Sequence, residues 1–338
     1  MSDKENEYQS ETPTRQATAV AFANLALVKY FGKRNLALNL PAAASLSLTL
    51  EPLRTETTVV LDPNLAQDQV RLQGALAGEK FQARVTAFLD IIRDQAGDST
   101  RARIETDNNF PTAAGLASSA SGFAALTLAA TSALKLDLNE PNLSALARRG
   151  SGSAARSIPG GICVWHKGEK HDGSDSFAES IAPPDVMDLR VVVGVTDPGP
   201  KSIGSTQAME QVRETSPYYG PWIKSVEVDL NEAIKAVTDC NLNRLGEVAE
   251  RNALAMHAAA LAARPGILFW KGSTVEGIHL VRQLRKNGIL AYFTCDAGPQ
   301  TKVLTSAADA PKVVQALKAL PGVVDIIVCR LGGRAMVI

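Results

Sequence analysis

Residues Ala17–Val28 form a nearly continuous apolar run that predicts a strand, and Ser45–Leu50 alternates Ser-Leu-Ser-Leu-Thr-Leu, the period of two of a half-buried strand. Thr55–Leu61 and Val70–Leu72 predict two more strands. Over Gly78–Asp94 the period lengthens, and Phe81, Val85, Phe88, Ile91 and Ile92 fall on one helical face. Arg101–Thr106 returns to strand character before Asn108-Asn109-Phe110-Pro111. Ala113–Leu134, rich in alanine and serine, predicts a buried helix that packs closely because its residues are small, and Leu143–Arg149 a shorter one. Gly150–Gly161 reads as a glycine- and serine-rich turn before strand Ile162–Trp165.

Leu189–Val195, apolar but for Arg190, predicts a strand opening a second half. Helices follow at Pro221–Val237, Leu242–Ala263, Thr274–Asn287 and Pro311–Leu320, with strands at Ile289–Thr294 and Val323–Cys329. Strands and helices mix without regular alternation, which predicts an α+β fold in two domains with a cleft between them. The expected division is a disordered polar leader over 1–16, an N-terminal domain over 17–187 and a C-terminal domain over 188–338.

Composition narrows the function classes. A chain of 338 residues suffices for one large or two ordinary domains. Lysine plus arginine equals aspartate plus glutamate, 35 against 35, so nothing favours nucleic acid or an anionic membrane as a partner. An anionic small molecule must then be held by a local cluster of cations. Cys163, Cys240, Cys295 and Cys329 lie far apart, which predicts free thiols in a reducing, cytoplasmic compartment. No apolar run approaches the roughly 20 residues of a membrane helix. His166, His171, His257 and His279 share no ligand spacing, so no zinc site is expected, and His257 and the three tryptophans are read as packing residues.

Pro111-Thr112-Ala113-Ala114-Gly115-Leu116-Ala117-Ser118-Ser119-Ala120-Ser121 precedes the small-residue helix. Small side chains let backbone N–H groups approach phosphate oxygens, and a helix N-terminus favours negative charge. Taken alone, such a segment is more often a packed, capped helix start. The longer run from Asn108 to Ser119, however, resembles the phosphate loop of the galactokinase, homoserine kinase, mevalonate kinase and phosphomevalonate kinase superfamily, and within it the diphosphomevalonate decarboxylases. Three further segments resemble the same family in the same order. They are Asn24–Arg34 followed by Leu40-Pro41, Arg149–Ser157 followed by Gly160-Gly161, and Cys295-Asp296-Ala297-Gly298-Pro299-Gln300. A weaker match is Lys201–Met209.

The resemblance implies a two-domain small-molecule-kinase superfamily fold, with a ribosomal-protein-S5-like N-terminal domain and a ferredoxin-like C-terminal domain around the active site. It implies Asp296, Arg156, Lys29 and Asn24 as catalytic residues, Asp296 handling the reacting hydroxyl and Arg156 the substrate carboxylate. Tyr30, Lys33, Ser151, Gly152, Ser153, Ser205 and Thr206 join Arg156 in binding substrate. Asn109, Pro111, Ala114, Gly115, Leu116, Ala117, Ser118, Ser119, Ser121 and Lys201 bind ATP, with Ser119 the candidate contact for Mg²⁺. The implied activity is ATP-dependent decarboxylation of mevalonate 5-diphosphate, in a homodimer. Ala42-Ala43-Ala44 departs from the Asn-Ser pair usual after Leu-Pro, which keeps a monophosphate ester open as substrate. A kinase that stops at the phosphorylated intermediate and a non-catalytic ATP-gated sensor are the other readings.

Overall fold

The computed structural model describes residues 15–110, 118–196 and 203–338. The first half runs β1 (Gln16–Val28), β2 (Lys33–Asn35), β3 (Leu40–Pro41), β4 (Ser45–Leu61), β5 (Gln69–Leu72), β6 (Ala75–Leu76), α1 (Glu79–Ala96), β7 (Ala102–Asn108), α2 (Ser118–Ala133), α3 (Glu140–Gly150), a 3-10 helix (Gly152–Ser157), β8 (Ile162–Trp165) and β9 (Ala178–Ala182). The second runs β10 (Leu189–Val195), α4 (Ser205–Thr215), α5 (Tyr219–Thr238), α6 (Leu242–Leu261), α7 (Gly272–Lys286), β11 (Tyr292–Thr294), β12 (Thr301–Ser306), α8 (Ala310–Lys318), β13 (Asp325–Leu331) and β14 (Met336–Val337).

The two runs expected at Ser45–Leu50 and Thr55–Leu61 are one strand. Antiparallel to β1 throughout, β4 skips Glu51–Leu53 in its register, so that Ala23 faces Leu50 and Phe22 faces Arg54. On its other edge the partner changes along its length, from β8 at Ser45–Leu48, through β13 at Leu50 and Glu51, to β7 at Thr55–Leu61. Among the described residues this joins both halves into one sheet, with the path β11-β12-β10-β13-β4-β7-β5-β6. The last strand, β14, returns to pair with β1.

The cores follow the strand period. Ala19, Ala21, Val59 and Leu61 point toward α1 and α2, where Phe88 and Phe123 meet edge to face at 5.3 Å. Nearly every residue of α2 is buried, which its alanines permit without separating it from β1 and β4. In the second half, Val191 and Val193 join the core under α5 and α6, while Val192 joins the one under α7 and α8. Truncating a side chain as deeply buried as Phe123 to alanine costs about 3–5 kcal/mol.

Apart from the two-residue and three-residue strands β2, β3, β6 and β14, which no pattern predicted, the following elements differ from expectation. The turn read at Gly150–Gly161 contains a 3-10 helix, and β9, α4 and β12 had no predicted counterpart. Of the expected leader, Arg15 already pairs with Asp98 at 2.5 Å and Gln16 opens β1; residues 1–14 lie outside the described residues.

Candidate active site

A cavity of about 1030 Å³ opens between the halves. The end of β1 and the segment after it bring Asn24, Lys29, Tyr30 and Lys33 to its wall, and the 3-10 helix with its N-terminal flank brings Ser151, Gly152, Ser153 and Arg156. The first turn of α4 supplies Ser205 and Thr206, and the segment after β11 supplies Asp296 and Ala297. Ser119, in the first turn of α2, lines the same space. The charge on this wall is lopsided for a chain of zero net charge. Lys29, Lys33, Lys80, Arg84, Arg149 and Arg156 line it, and Asp296 is its one acid among the described residues.

Arg156 is 3 % exposed. Its Nε and Nη2 donate to Asn24 Oδ1 at 3.3 and 3.2 Å, and its Nη1 donates to Ser45 Oγ at 2.9 Å. The Tyr30 and Trp165 rings flank the guanidinium at 5.9 and 5.6 Å and meet each other edge to face. Asn24 is held in turn through its Nδ2, which donates to Ser153 O and to Ser157 Oγ. Among the described residues no carboxylate pairs with Arg156. Burial therefore lowers its proton affinity to about 10, and a buried cation in this state is a ready receptor for an anion. Gly152 is required here, because a Cβ on it would lie 2.5 Å from the Tyr30 hydroxyl.

Asp296 is gripped from both sides. Lys29 Nζ donates to its Oδ1 at 2.7 Å and Lys302 Nζ to its Oδ2 at 2.6 Å. Burial alone would raise its carboxyl, but the two ammonium charges outweigh burial and hold it well below the usual carboxylate range. Burial lowers Lys29, with Asp296 opposing. One helix steadies both segments. On α6, Asn252 Oδ1 accepts from the Lys29 backbone N–H at 2.8 Å, and the His257 ring lies against the backbone at Cys295 and Asp296. Asn252 is itself anchored through Nδ2 to Asp229 Oδ2, whose other oxygen pairs with Arg251. His257 also stacks against Trp270 at 4.6 Å, and burial lowers it to about 4, so it is neutral.

At the other end of the cavity, Lys33 Nζ donates to Asn39 Oδ1 at 2.7 Å and to Thr206 Oγ1 at 3.2 Å. Arg84 donates to Gly150 O and lies 4.5 Å over the Phe123 ring. The Ser119 and Ser151 hydroxyls approach to 3.4 Å. A second, smaller cavity of about 90 Å³ beside the start of α2 is lined by Val70, Leu72, Phe81, Asn108, Ser118 and Ser119, among others.

Two sequence candidates face elsewhere. Ser121 is fully buried, its hydroxyl 2.6 Å from Thr55 Oγ1, and it lines neither cavity. Asn109 clasps the irregular part of β4, accepting from Arg54 N and donating to Pro52 O, while its neighbour Asn108 lines the smaller cavity. For the two asparagines, alternation along extended chain is the physical reason: one step exchanges the two faces. Pro111, Ala114, Gly115, Leu116, Ala117 and Lys201 lie outside the described residues. The sequence reading missed Lys80, Arg84, Asn252 and Lys302. The first two were detectable as cations four residues apart on an otherwise amphipathic helix.

A continuous α+β sheet with a cationic cleft and a small-residue helix starting at its edge is the architecture of the small-molecule kinase superfamily. Residues 21–178 match the diphosphomevalonate decarboxylase-like N-terminal domain, and residues 191–328 the mevalonate 5-diphosphate decarboxylase C-terminal domain. The chain is 36% identical to the diphosphomevalonate decarboxylase of Homo sapiens over 88% of its own length and 78% of the relative's. The crystal structure of mevalonate diphosphate decarboxylase from Staphylococcus aureus superposes with a TM-score of 0.90 at 38% identity, covering 96% of this chain and 98% of that one. A complex described as MDDEF with MVAPP, AMPPCP and magnesium superposes at 0.89 with 40% identity and the same coverage. The chain belongs to the diphosphomevalonate decarboxylase family.

Proposed function

We infer that this enzyme decarboxylates mevalonate 5-diphosphate at the expense of ATP, giving isopentenyl diphosphate, ADP, phosphate and carbon dioxide. The observation that carries this reading is the convergence of Arg156, buried and without an acid partner among the described residues, and Asp296 on one cavity. A decarboxylase needs both a grip on the carboxylate and a group for the hydroxyl; a kinase needs only the second.

In the proposed cycle, Asp296 accepts a hydrogen bond from the tertiary hydroxyl and aligns its oxygen with the γ-phosphorus of ATP. The new O–P bond forms as the bond to the ADP oxygen breaks with its electron pair, and the hydroxyl proton passes toward Asp296. Lys29, on the same wall, offsets the charge that develops. Phosphate then leaves the tertiary carbon with its electron pair. The carboxylate held by Arg156 departs as carbon dioxide, and the electrons of the broken C–C bond become the alkene. Asn24 keeps the guanidinium in place for this step.

Lys33, Tyr30, Ser151, Gly152, Ser153, Ser205 and Thr206 anchor the terminal diphosphate, and the concentration of cations on this wall favours two phosphates over one. Ser118, Ser119 and the segment before them take the nucleotide phosphates, with the apolar slot beside α2 suited to its base. Magnesium enters with the nucleotide. No three His, Cys, Asp or Glu side chains among the described residues cluster to hold a metal, whereas the Ser119 and Ser151 hydroxyls are hard donors that suit a largely hydrated Mg²⁺, which would neutralise phosphate charge there. We also propose a division of the chain near 187/188, a homodimeric assembly and a cytoplasmic location. For the last, the support is the set of four free cysteines, and no helix among the described residues is long and apolar enough to cross a membrane.

The test is incubation with ATP, Mg²⁺ and either the 5-diphosphate or the 5-phosphate ester while ADP and carbon dioxide are followed. Equal amounts of both products from the diphosphate are expected. ADP with a stable phosphorylated product and no carbon dioxide would mean a kinase.

A further inference from the structure

Lys302 is the unexplained group at the heart of this site. Its side chain, on β12, is 3 % exposed and donates to Asp296 Oδ2, yet Lys302 does not line the cavity that Asp296 and Lys29 line. It cannot meet a ligand there except through Asp296. A buried lysine is expensive to desolvate, and its ammonium is directed at one carboxylate that already has a lysine.

Two cations on one acid make sense when the first has a competing task. Lys29 is held by Asp296 Oδ1 and by Ala26 O, and it also lines the wall where phosphate arrives. A phosphate close to Lys29 draws that ammonium's charge away from Asp296. With Lys29 as its sole partner, the carboxylate would then lose its fixed rotamer and take up a proton more readily, at the moment when it must be ionised and aimed.

We propose that Lys302 is a positioning residue for phosphoryl transfer, a permanent partner that keeps Asp296 ionised and oriented while Lys29 turns to the incoming phosphate. This rests on the functional reading above and deepens it. Among the described residues, the groups that face Asp296 are few. They are Lys29 from the end of β1, Lys302 from β12, the more distant Arg156 from the 3-10 helix, the neutral His257 from α6, and the Cys295 thiol beside it, which burial pushes up to about 12. Of the cations among them, Lys302 alone does not line the cavity.

Lys302→Met keeps the length of the stem and removes the charge; Lys302→Arg keeps the charge. The Met variant is expected to lose about 10–100-fold in kcat at neutral pH, with both KM values within about threefold of the parent. The acid limb of its kcat–pH profile moves up by about one unit, because the carboxylate has lost a permanent counter-charge. The Arg variant returns the limb to its place and recovers most of kcat. A Met variant with the parent's kcat and limb overturns the proposal, and so does a loss of kcat with an unmoved limb that arginine does not repair. Should Lys302→Met fail to fold by circular dichroism, Lys302→Gln is measured in its place. A carbon-13 NMR titration of the Asp296 carboxyl needs no turnover: its midpoint rises in the Met variant, and an unmoved midpoint overturns the proposal. Failure of the parent to release carbon dioxide would instead sink the functional reading, and the titration would still decide whether Lys302 holds Asp296 ionised.

Discussion

Replacing Arg156 with methionine should change the stability of the free protein by no more than a few kcal/mol while destroying its activity. The guanidinium is buried and, among the described residues, pairs with no acid, and burial has lowered its proton affinity from the usual arginine value to about 10. At about 1.4 kcal/mol per unit, keeping this charge in the free enzyme costs about 3 kcal/mol. Methionine removes that cost but strands Asn24 Oδ1 and Ser45 Oγ, which lose donors to which they are now bonded at 2.9–3.3 Å. An acceptor left unsatisfied costs about 1–3 kcal/mol, so the two together cost about 2–6 kcal/mol and offset the relief to within a few kcal/mol. Activity has no such compensation. Two charge-assisted hydrogen bonds to the substrate carboxylate, each worth about 1.5–3 kcal/mol, amount to a loss of roughly 10²-fold or more in kcat/KM. The assays are thermal melts with and without the substrate ester, beside carbon dioxide release. A ligand-induced rise in Tm should be large in the parent and small in the variant. A variant that melts many degrees below the parent without ligand, yet still decarboxylates, would refute the reasoning.

Asp296→Asn should still bind both substrates, because every anchoring cation remains, but should lose phosphoryl transfer and decarboxylation together; turnover at the parent rate would remove Asp296 from its role. Gly152→Ala should raise the KM for the ester at least tenfold, since the new methyl displaces the Tyr30 hydroxyl, and kinetics like the parent's would contradict that packing. His257 is neutral in the fold, at about 4 against 6.5 unfolded, so the unfolded chain binds more protons in that window. Its burial therefore costs nothing above pH 6.5 and destabilises progressively as pH falls toward 4, by up to about 3 kcal/mol. His257→Gln should flatten denaturant-derived stability across pH 4–6.5, and an unchanged slope would count against it.

The sequence was informative where local pattern and local chemistry coincide. Leu189–Val195 is visible as a strand because, Arg190 apart, it is apolar on both faces, and Asp296 and Arg156 stand in short segments whose order along the chain is distinctive. The parts that escaped are those set by tertiary packing. β12 is buried on both faces yet carries Lys302, so neither alternation nor an apolar run marks it. Asn252 and His257 sit within an ordinary helical pattern, and nothing local says that one caps the Lys29 backbone and the other lies against the Asp296 segment. The sequence singled out Asn109, whereas Asn108 is the one that lines the smaller cavity; alternation along β7, with Ala102, Ile104 and Thr106 buried, puts Asn108 on that inward face.

The irregular stretch of β4 has a mechanical consequence. Because Leu50 and Glu51 are laddered to Leu331 and Arg330, and Arg330 also pairs with Glu51 at 2.8 Å, the jaws of the cleft share a hydrogen-bonded spine rather than a swivel. Swinging them apart would tear those rungs from the middle of a sheet. Admission of two bulky polyanions must then fall to pieces mounted on the rim, such as the first turns of α1 and α4, while the distance between Arg156 and Asp296 stays fixed from one turnover to the next.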